Sequence, residues 1–136
     1  MEARIAKTVD VGCGTDAATI QMAAMCPSAT VYGLNISPVP EAVRQSAPAN
    51  AIWVEGNIWD VDYSEPGEDL LSRELFSPTK LDYFFGQMCL IGTNDWPRYF
   101  SVASNALKSG GIIEHQELDW SLYRVGTSEC LSSCWE

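Results

Sequence analysis

Short apolar runs alternate with amphipathic stretches along this chain, and that alternation predicts a strand–helix order. Ile5 to Val11 reads as a short strand entering a glycine turn at Gly12-Cys13-Gly14. Thr15 or Asp16 is placed to cap a helix through Ile20 and Met22 to about Met25, where Pro27 stops it. Ala29 to Leu34 predicts a second strand; Pro38 and Pro40 punctuate the next turn, with a short helix over Glu41–Ser46. Ala51 to Glu55 predicts a third strand and Leu81 to Phe85 a fourth. Asp95 is the expected cap of a helix starting near Trp96-Pro97, because proline is tolerated in a first helical turn. Its apolar positions Phe100, Ala103 and Leu107 keep helical spacing, and Gly110-Gly111 is expected to end it. Ile112 to Leu118 predicts a fifth strand, and the last 18 residues have no clear period.

Strands joined by helical crossovers imply an α/β fold, a Rossmann-like open and mainly parallel sheet of about five strands with helices on both faces. Right-handed crossovers then put ligands at the carboxyl ends of the strands. The 136 residues, without internal repeats, are expected to form a single domain over 1–136, with its core at about 5–122 and a tail at 123–136.

Composition narrows the function classes. Hydrophobic residues make up 46% of the chain and charged residues 19%, which argues against intrinsic disorder. The net charge of −10 speaks against a nucleic-acid surface, since phosphates call for positive neutralisation. No apolar run reaches the roughly 18–20 residues of a membrane span, and the first residues lack the apolar segment of a signal peptide. The expected setting is therefore cytoplasmic, with the nucleus as the alternative. Residues 55–136 carry 14 acids against five bases, much of the excess lying in VEGNIWDVDYSEPGEDLLSRE. That stretch reads as a solvated loop, or as a surface for a basic partner or cationic substrate. The five cysteines show no CxxC pair, and His115 is the only histidine, so no metal site is expected.

The sharpest chemical signal is Val9-Asp10-Val11-Gly12-Cys13-Gly14 at the predicted strand–helix junction. Glycines there let a ligand approach bare main chain, and a helix N-terminus offers free N–H groups to an anionic group. A tight turn holding nothing is the plain alternative. With Ala17 as the third small residue the turn also fits a dinucleotide fingerprint, but the position 21 residues after Gly14 is Asn35, an amide where that fold usually has an acid.

A second cofactor class fits more of the chain. The segments VDVGCGT, VYGLNISP, VEGNIWD, LDYFFGQMCL and DWPRYFSVASNALKSGGIIEHQELDW together resemble the class I S-adenosylmethionine-dependent methyltransferases, in particular the fungal branch that includes a global regulator of secondary metabolism. The resemblance covers roughly residues 5–122, and its last block is the most specific part. It implies S-adenosylmethionine as cofactor and methyl transfer to a small molecule, within fungal secondary metabolism. Carried over residue by residue, it implies that Asp10, Gly12, Cys13 and Gly14 line the methionine end, with Asp10 reaching the amino group. Asn35 would meet the ribose, Asn57 the adenine edge, Leu34, Ile36 and Ile58 the adenine faces, and Gln87 the methyl group and substrate.

Three positions depart from the family pattern. Asp16 replaces a small residue, and Asn35 and Asn57 replace acids. Charged hydrogen bonds contribute about 1.5–3 kcal/mol against about 1 for neutral ones, so two such replacements imply cofactor binding weakened by on the order of tenfold to a few hundredfold. The chain also falls short of the family's usual last two strands, so its fifth strand is expected at an open edge that invites a second copy or a partner protein. The departures keep two other readings in play: a fold repurposed for a cofactor-independent small-molecule reaction such as a cyclisation, isomerisation or pericyclic step, and a non-catalytic partner-binding module. His115 reads as a packed or hydrogen-bonded residue. Gln116 and Glu117 lie nearer the carboxyl end, where one would face the pocket.

Overall fold

A computed structural model of the chain describes residues 5–15, 17–61, 75–89 and 92–118. Asp16, most of the acidic stretch and the last 18 residues lie outside the described residues. The elements follow in the order β1 (Lys7–Val11), α1 (Ala17–Met25), β2 (Thr30–Asn35), α2 (Glu41–Ser46), β3 (Ala51–Glu55), a single 3-10 turn at Ile58–Asp60, β4 (Leu81–Gln87), α3 (Trp96–Ala106) and β5 (Leu107–Gln116). The five strands form one parallel sheet in the order β3-β2-β1-β4-β5. This is the Rossmann-like architecture that the strand–helix alternation implies.

Period-two alternation divides the sheet between two helical layers. Thr8 and Asp10 point to the α1 side, where the Thr19 hydroxyl donates to Asp10 at 2.7 Å. On this side Ala23, Ala29 and Val31 form a small cluster. The amide nitrogen of Asn50 donates to the carbonyls of Ala23, Cys26 and Ala29 at 3.0, 3.1 and 2.9 Å, satisfying the end of α1 that lacks its own partners. Gly33 has a packing reason as well. A Cβ there would stand 2.6 Å from the Trp53 ring. Val9, Val11, Leu34, Val54 and Phe84 point the other way, into the main core under Tyr99, Val102, Ala103 and Ala106 of α3. Each large side chain buried there contributes about 1.5–3 kcal/mol.

The α3–β5 junction departs from the expectation that Gly110-Gly111 stops the helix and that the strand starts at Ile112. Helix α3 begins as expected, with Asp95 accepting from the Arg98 amide at 3.0 Å, but it ends at Ala106. Leu107 already pairs with Leu81, and Ile112 pairs with Tyr83, so residues 108–111 bulge out of the ladder. The glycines serve the bulge. Gly110 adopts φ +81°, and a Cβ on Gly111 would lie 2.8 Å from the buried Leu107 side chain. Strand β5 closes at Gln116, two residues short of the expected Leu118, and β4 runs two residues past Phe85 to Gln87. Among the described residues β5 is an edge strand, with Ile112 exposed.

Candidate functional site

Parallel register brings the carboxyl ends of the five strands to one rim. Val11 pairs with Leu34 on one side and Gly86 on the other; Leu34 pairs with Val54, and Gly86 with His115. Two hollows open above this rim. The larger, about 340 Å³, lies toward β2 and the Ile58–Asp60 turn and is bordered by Leu34, Asn35, Ile36, Asn57, Ile58 and Tyr99 among others. The smaller, about 200 Å³, lies over the glycine turn and is bordered by Asp10, Cys13, Gly14 and Gln87. Gly12 and Met88 border both.

At the turn the main chain is the wall. Gly12 and Gly14 adopt φ +72° and +57°, and a Cβ on Gly12 would lie 3.4 Å from the Cys89 sulfur. A side chain at Gly12 is therefore both strained and set against the opposite wall of the shared opening. Asp10 is 2% exposed, so its carboxylate is fixed beneath the turn by the Thr19 hydroxyl, and only its edge borders the smaller hollow.

The two asparagines are oriented by their own loops. The Asn35 amide nitrogen donates to the Ser37 carbonyl at 3.1 Å, which leaves its oxygen as the group to meet a ligand hydroxyl. The Asn57 oxygen accepts from the Trp59 amide at 3.1 Å, capping the 3-10 turn, which turns its nitrogen toward acceptors. The pair thus offers one acceptor and one donor. Ile36 is 71% exposed beside them, whereas Leu34 and Ile58 are buried in the floor. Gln87 sits over the glycine turn, 3.4 Å from Gln116, and does not border the larger hollow.

The structure adds Met88, Cys89 and Tyr99, which sequence reasoning did not single out, beside Trp59, one of five tryptophans that the sequence offers for an aromatic substrate site or, more plainly, for core packing. Met88 has φ +57°, a left-handed conformation rare outside glycine, and its amide is held by the Gln116 carbonyl at 2.9 Å. No local pattern announces it. Nothing in the sequence sets Tyr99 apart, and only the tertiary structure puts it in a cavity wall. It lies there beside Cys89, and its hydroxyl is 3.5 Å from His115 Nδ1. His115 Nε2 donates to Glu117 Oε1 at 2.7 Å, and the same oxygen accepts from the Cys89 amide at 2.7 Å. Trp96, Tyr99 and Phe100 enclose the imidazole edge-on. Burial, with the neighbouring Cys89 thiol, Glu117 and Asp10, pushes the Tyr99 phenol far up. Burial, then Glu117, raises the Cys89 thiol, so both groups stay protonated at neutral pH.

The fold that carries this site matches known proteins. A methyltransferase-domain family profile covers residues 9–114, most of the chain. The chain belongs to the methyltransferase domain family. S-adenosylmethionine is the cofactor that goes with this fold. A Haemonchus contortus phosphoethanolamine N-methyltransferase, solved with phosphomonomethylethanolamine and S-adenosylhomocysteine, superposes with a TM-score of 0.63 at 21% identity, over 85% of this chain and 25% of that one. The plantazolicin methyltransferase, solved with a substrate analogue and S-adenosylhomocysteine, gives 0.65 at 13% identity, over 85% of this chain and 40% of that one. A putative methyltransferase of Haloferax volcanii, in complex with the Trm112 activator, gives 0.61 at 17% identity, over 81% and 44%. At such identities the likeness concerns the fold, and the chain spans less than half the length of each of the three. No curated protein matches it significantly.

The residues present fit the cofactor's parts. The bare main chain at Gly12, the acceptor–donor pair of Asn35 and Asn57, and the apolar floor of Leu34 and Ile58 suit a nucleoside, while Asp10 beneath the turn suits a charged amino group. Among the described residues no helix is long and apolar enough to cross a membrane.

Proposed function

We propose that the chain binds S-adenosylmethionine across the two hollows and transfers its methyl group to a small molecule, within fungal secondary metabolism. The carrying observation is the shared opening at Gly12, where a positive φ and a missing Cβ join a nucleoside-sized hollow to an acid-floored one. When bound, the cofactor supplies an electrophilic methyl on a sulfonium, so the protein's work is to hold and orient. Asn35 and Asn57 set the nucleoside, Asp10 holds the charged end, and Trp59 and Tyr99 close the wall against water. The test is calorimetric titration with S-adenosylmethionine and S-adenosylhomocysteine. Micromolar affinity for both supports the reading; no heat at millimolar ligand overturns it and leaves a cofactor-independent reaction.

The edge position of β5, with Ile112 56% exposed, favours a second element of the reading: pairing with another copy or with a partner protein. Light scattering at micromolar concentration tests the copy, and a clean monomer counts against it.

A further inference from the structure

The cluster at the far wall of the larger hollow has a built order that packing alone does not require. Glu117 accepts two hydrogen bonds on one oxygen, from the Cys89 amide and from His115 Nε2, so its carboxylate is fixed against the loop after β4. Donation from Nε2 sets the imidazole tautomer and leaves the Nδ1 lone pair facing the Tyr99 hydroxyl at 3.5 Å. Gly86, beneath both groups, is the second observation. A Cβ there would contact the Tyr99 hydroxyl and stand 2.7 Å from His115 Nδ1, so the sheet is cut away where the two meet. Tyr99 is 1% exposed and borders the larger hollow.

We infer that Tyr99 takes the proton of the methyl acceptor, with His115 and Glu117 as positioning residues behind it, and that the acceptor is an un-ionised hydroxyl compound of the phenol or alcohol type. The inference rests on the methyltransferase reading. Its chemical logic concerns the fate of a proton. A carboxylate brings none, and an amine with a free lone pair attacks without losing one, whereas a neutral hydroxyl must shed its proton as it attacks. In the step, the acceptor oxygen bonds to the methyl carbon while the donor's carbon–sulfur bond breaks, its electron pair staying on a neutral thioether. The acceptor's proton passes to the Tyr99 oxygen as the Tyr99 proton passes to His115 Nδ1, and the resulting imidazolium stays paired with Glu117. Distances of this kind shorten when substrate fills a site, so 3.5 Å without ligand is in keeping with the role. Asp10 from β1 and Cys89 after β4, whose thiol also hydrogen-bonds the Tyr99 hydroxyl, are the other titratable groups acting on Tyr99.

His115 is the only histidine, so a 15N-labelled full-length chain gives one pair of ring-nitrogen resonances. The expected result is the Nε2–H tautomer, an Nδ1 shift displaced by the Tyr99 hydroxyl, and loss of that displacement in Tyr99→Phe, which keeps the ring and its packing. Glu117→Gln is expected to mix the tautomers. In the presence of saturating S-adenosylhomocysteine, phenol is expected to move the Nδ1 resonance in the wild type and not in Tyr99→Phe, while anisole, which has no proton to give, moves it in neither. An Nδ1–H tautomer, an equal response to phenol and anisole, or a phenol response surviving in Tyr99→Phe overturns the inference. So does the absence of any phenol response while S-adenosylhomocysteine binds in the calorimeter. Failure of S-adenosylhomocysteine to bind at all takes down the methyltransferase reading as well, so the two failures are told apart.

Discussion

The two walls of the site are made of different material. At the glycine turn the wall is main chain, with Gly12 and Gly14 at positive φ over a buried carboxylate. Across the opening it is the side chains of Cys89 and Tyr99, with His115 and Glu117 behind them. A main-chain wall recognises shape, and its positive φ disfavours any side chain. A side-chain wall can hold a proton, and its geometry depends on every partner staying in place. On the proposed reading the first wall serves binding and the second serves chemistry.

The largest test of that division is Gly12→Val. A branched side chain at φ +72° costs about 1–3 kcal/mol of strain and meets Cys89. Calorimetry is expected to find S-adenosylhomocysteine affinity lowered at least about a hundredfold, a change of about 2.7 kcal/mol. Survival of full affinity would break the comparison. Gly86→Ala strikes the opposite wall. The added methyl pushes Tyr99 and His115 apart at a cost of about 1–3 kcal/mol, read as a lower midpoint in urea. The His115 resonance should shift, while cofactor affinity should stay within a few-fold of wild type.

Asn35→Asp sharpens the binding side. A carboxylate gains strength toward a ribose hydroxyl but gives up the bond to Ser37 and sets two acceptors face to face. The expected net is a gain in affinity of about threefold to tenfold, close to 1 kcal/mol. A loss would place the ribose elsewhere.

The smallest effect belongs to Asp82, at the opposite, amino end of the sheet. Burial by itself would raise its pKa, but the Lys108 ammonium at 2.7 Å and the Ala6 and Lys7 amides hold it below the ordinary 3.8. A carboxyl lowered on folding stabilises above its unfolded value, and that contribution is lost as pH falls through the folded one. Asp82→Asn should therefore lower the melting temperature by about 2 °C at pH 7, the gap closing below pH 3.8, with both cavity walls unaffected.

Much of the binding wall was legible because its signals are local. A glycine turn between strand and helix, and an amide just past an apolar run, are written in consecutive residues. Asp10, Gly12, Cys13, Gly14, Asn35, Ile36, Asn57 and Ile58 all border one hollow or the other, and Gln87 borders the smaller. The chemical wall was not legible. His115 read as a packed residue, which its aromatic enclosure bears out, but nothing in EHQEL says that Tyr99, sixteen residues earlier, arrives at its Nδ1. Met88 shows no signal at all: its positive φ goes with an amide held by the Gln116 carbonyl, 28 residues on. The glycine pair at 110–111 misled in the same way. It was read as a helix stop, a local role, and its use is to fold a bulge around Leu107.

By itself the sequence determined the order of the elements, the parallel sheet and the bare turn, since periodicity, proline and glycine act within a few residues of themselves. The tertiary structure alone decided which side chains border the opening and which of them meet behind it. Those contacts join β1, β4, α3 and β5, and their relative placement is fixed by register and core packing rather than by any neighbour in the chain.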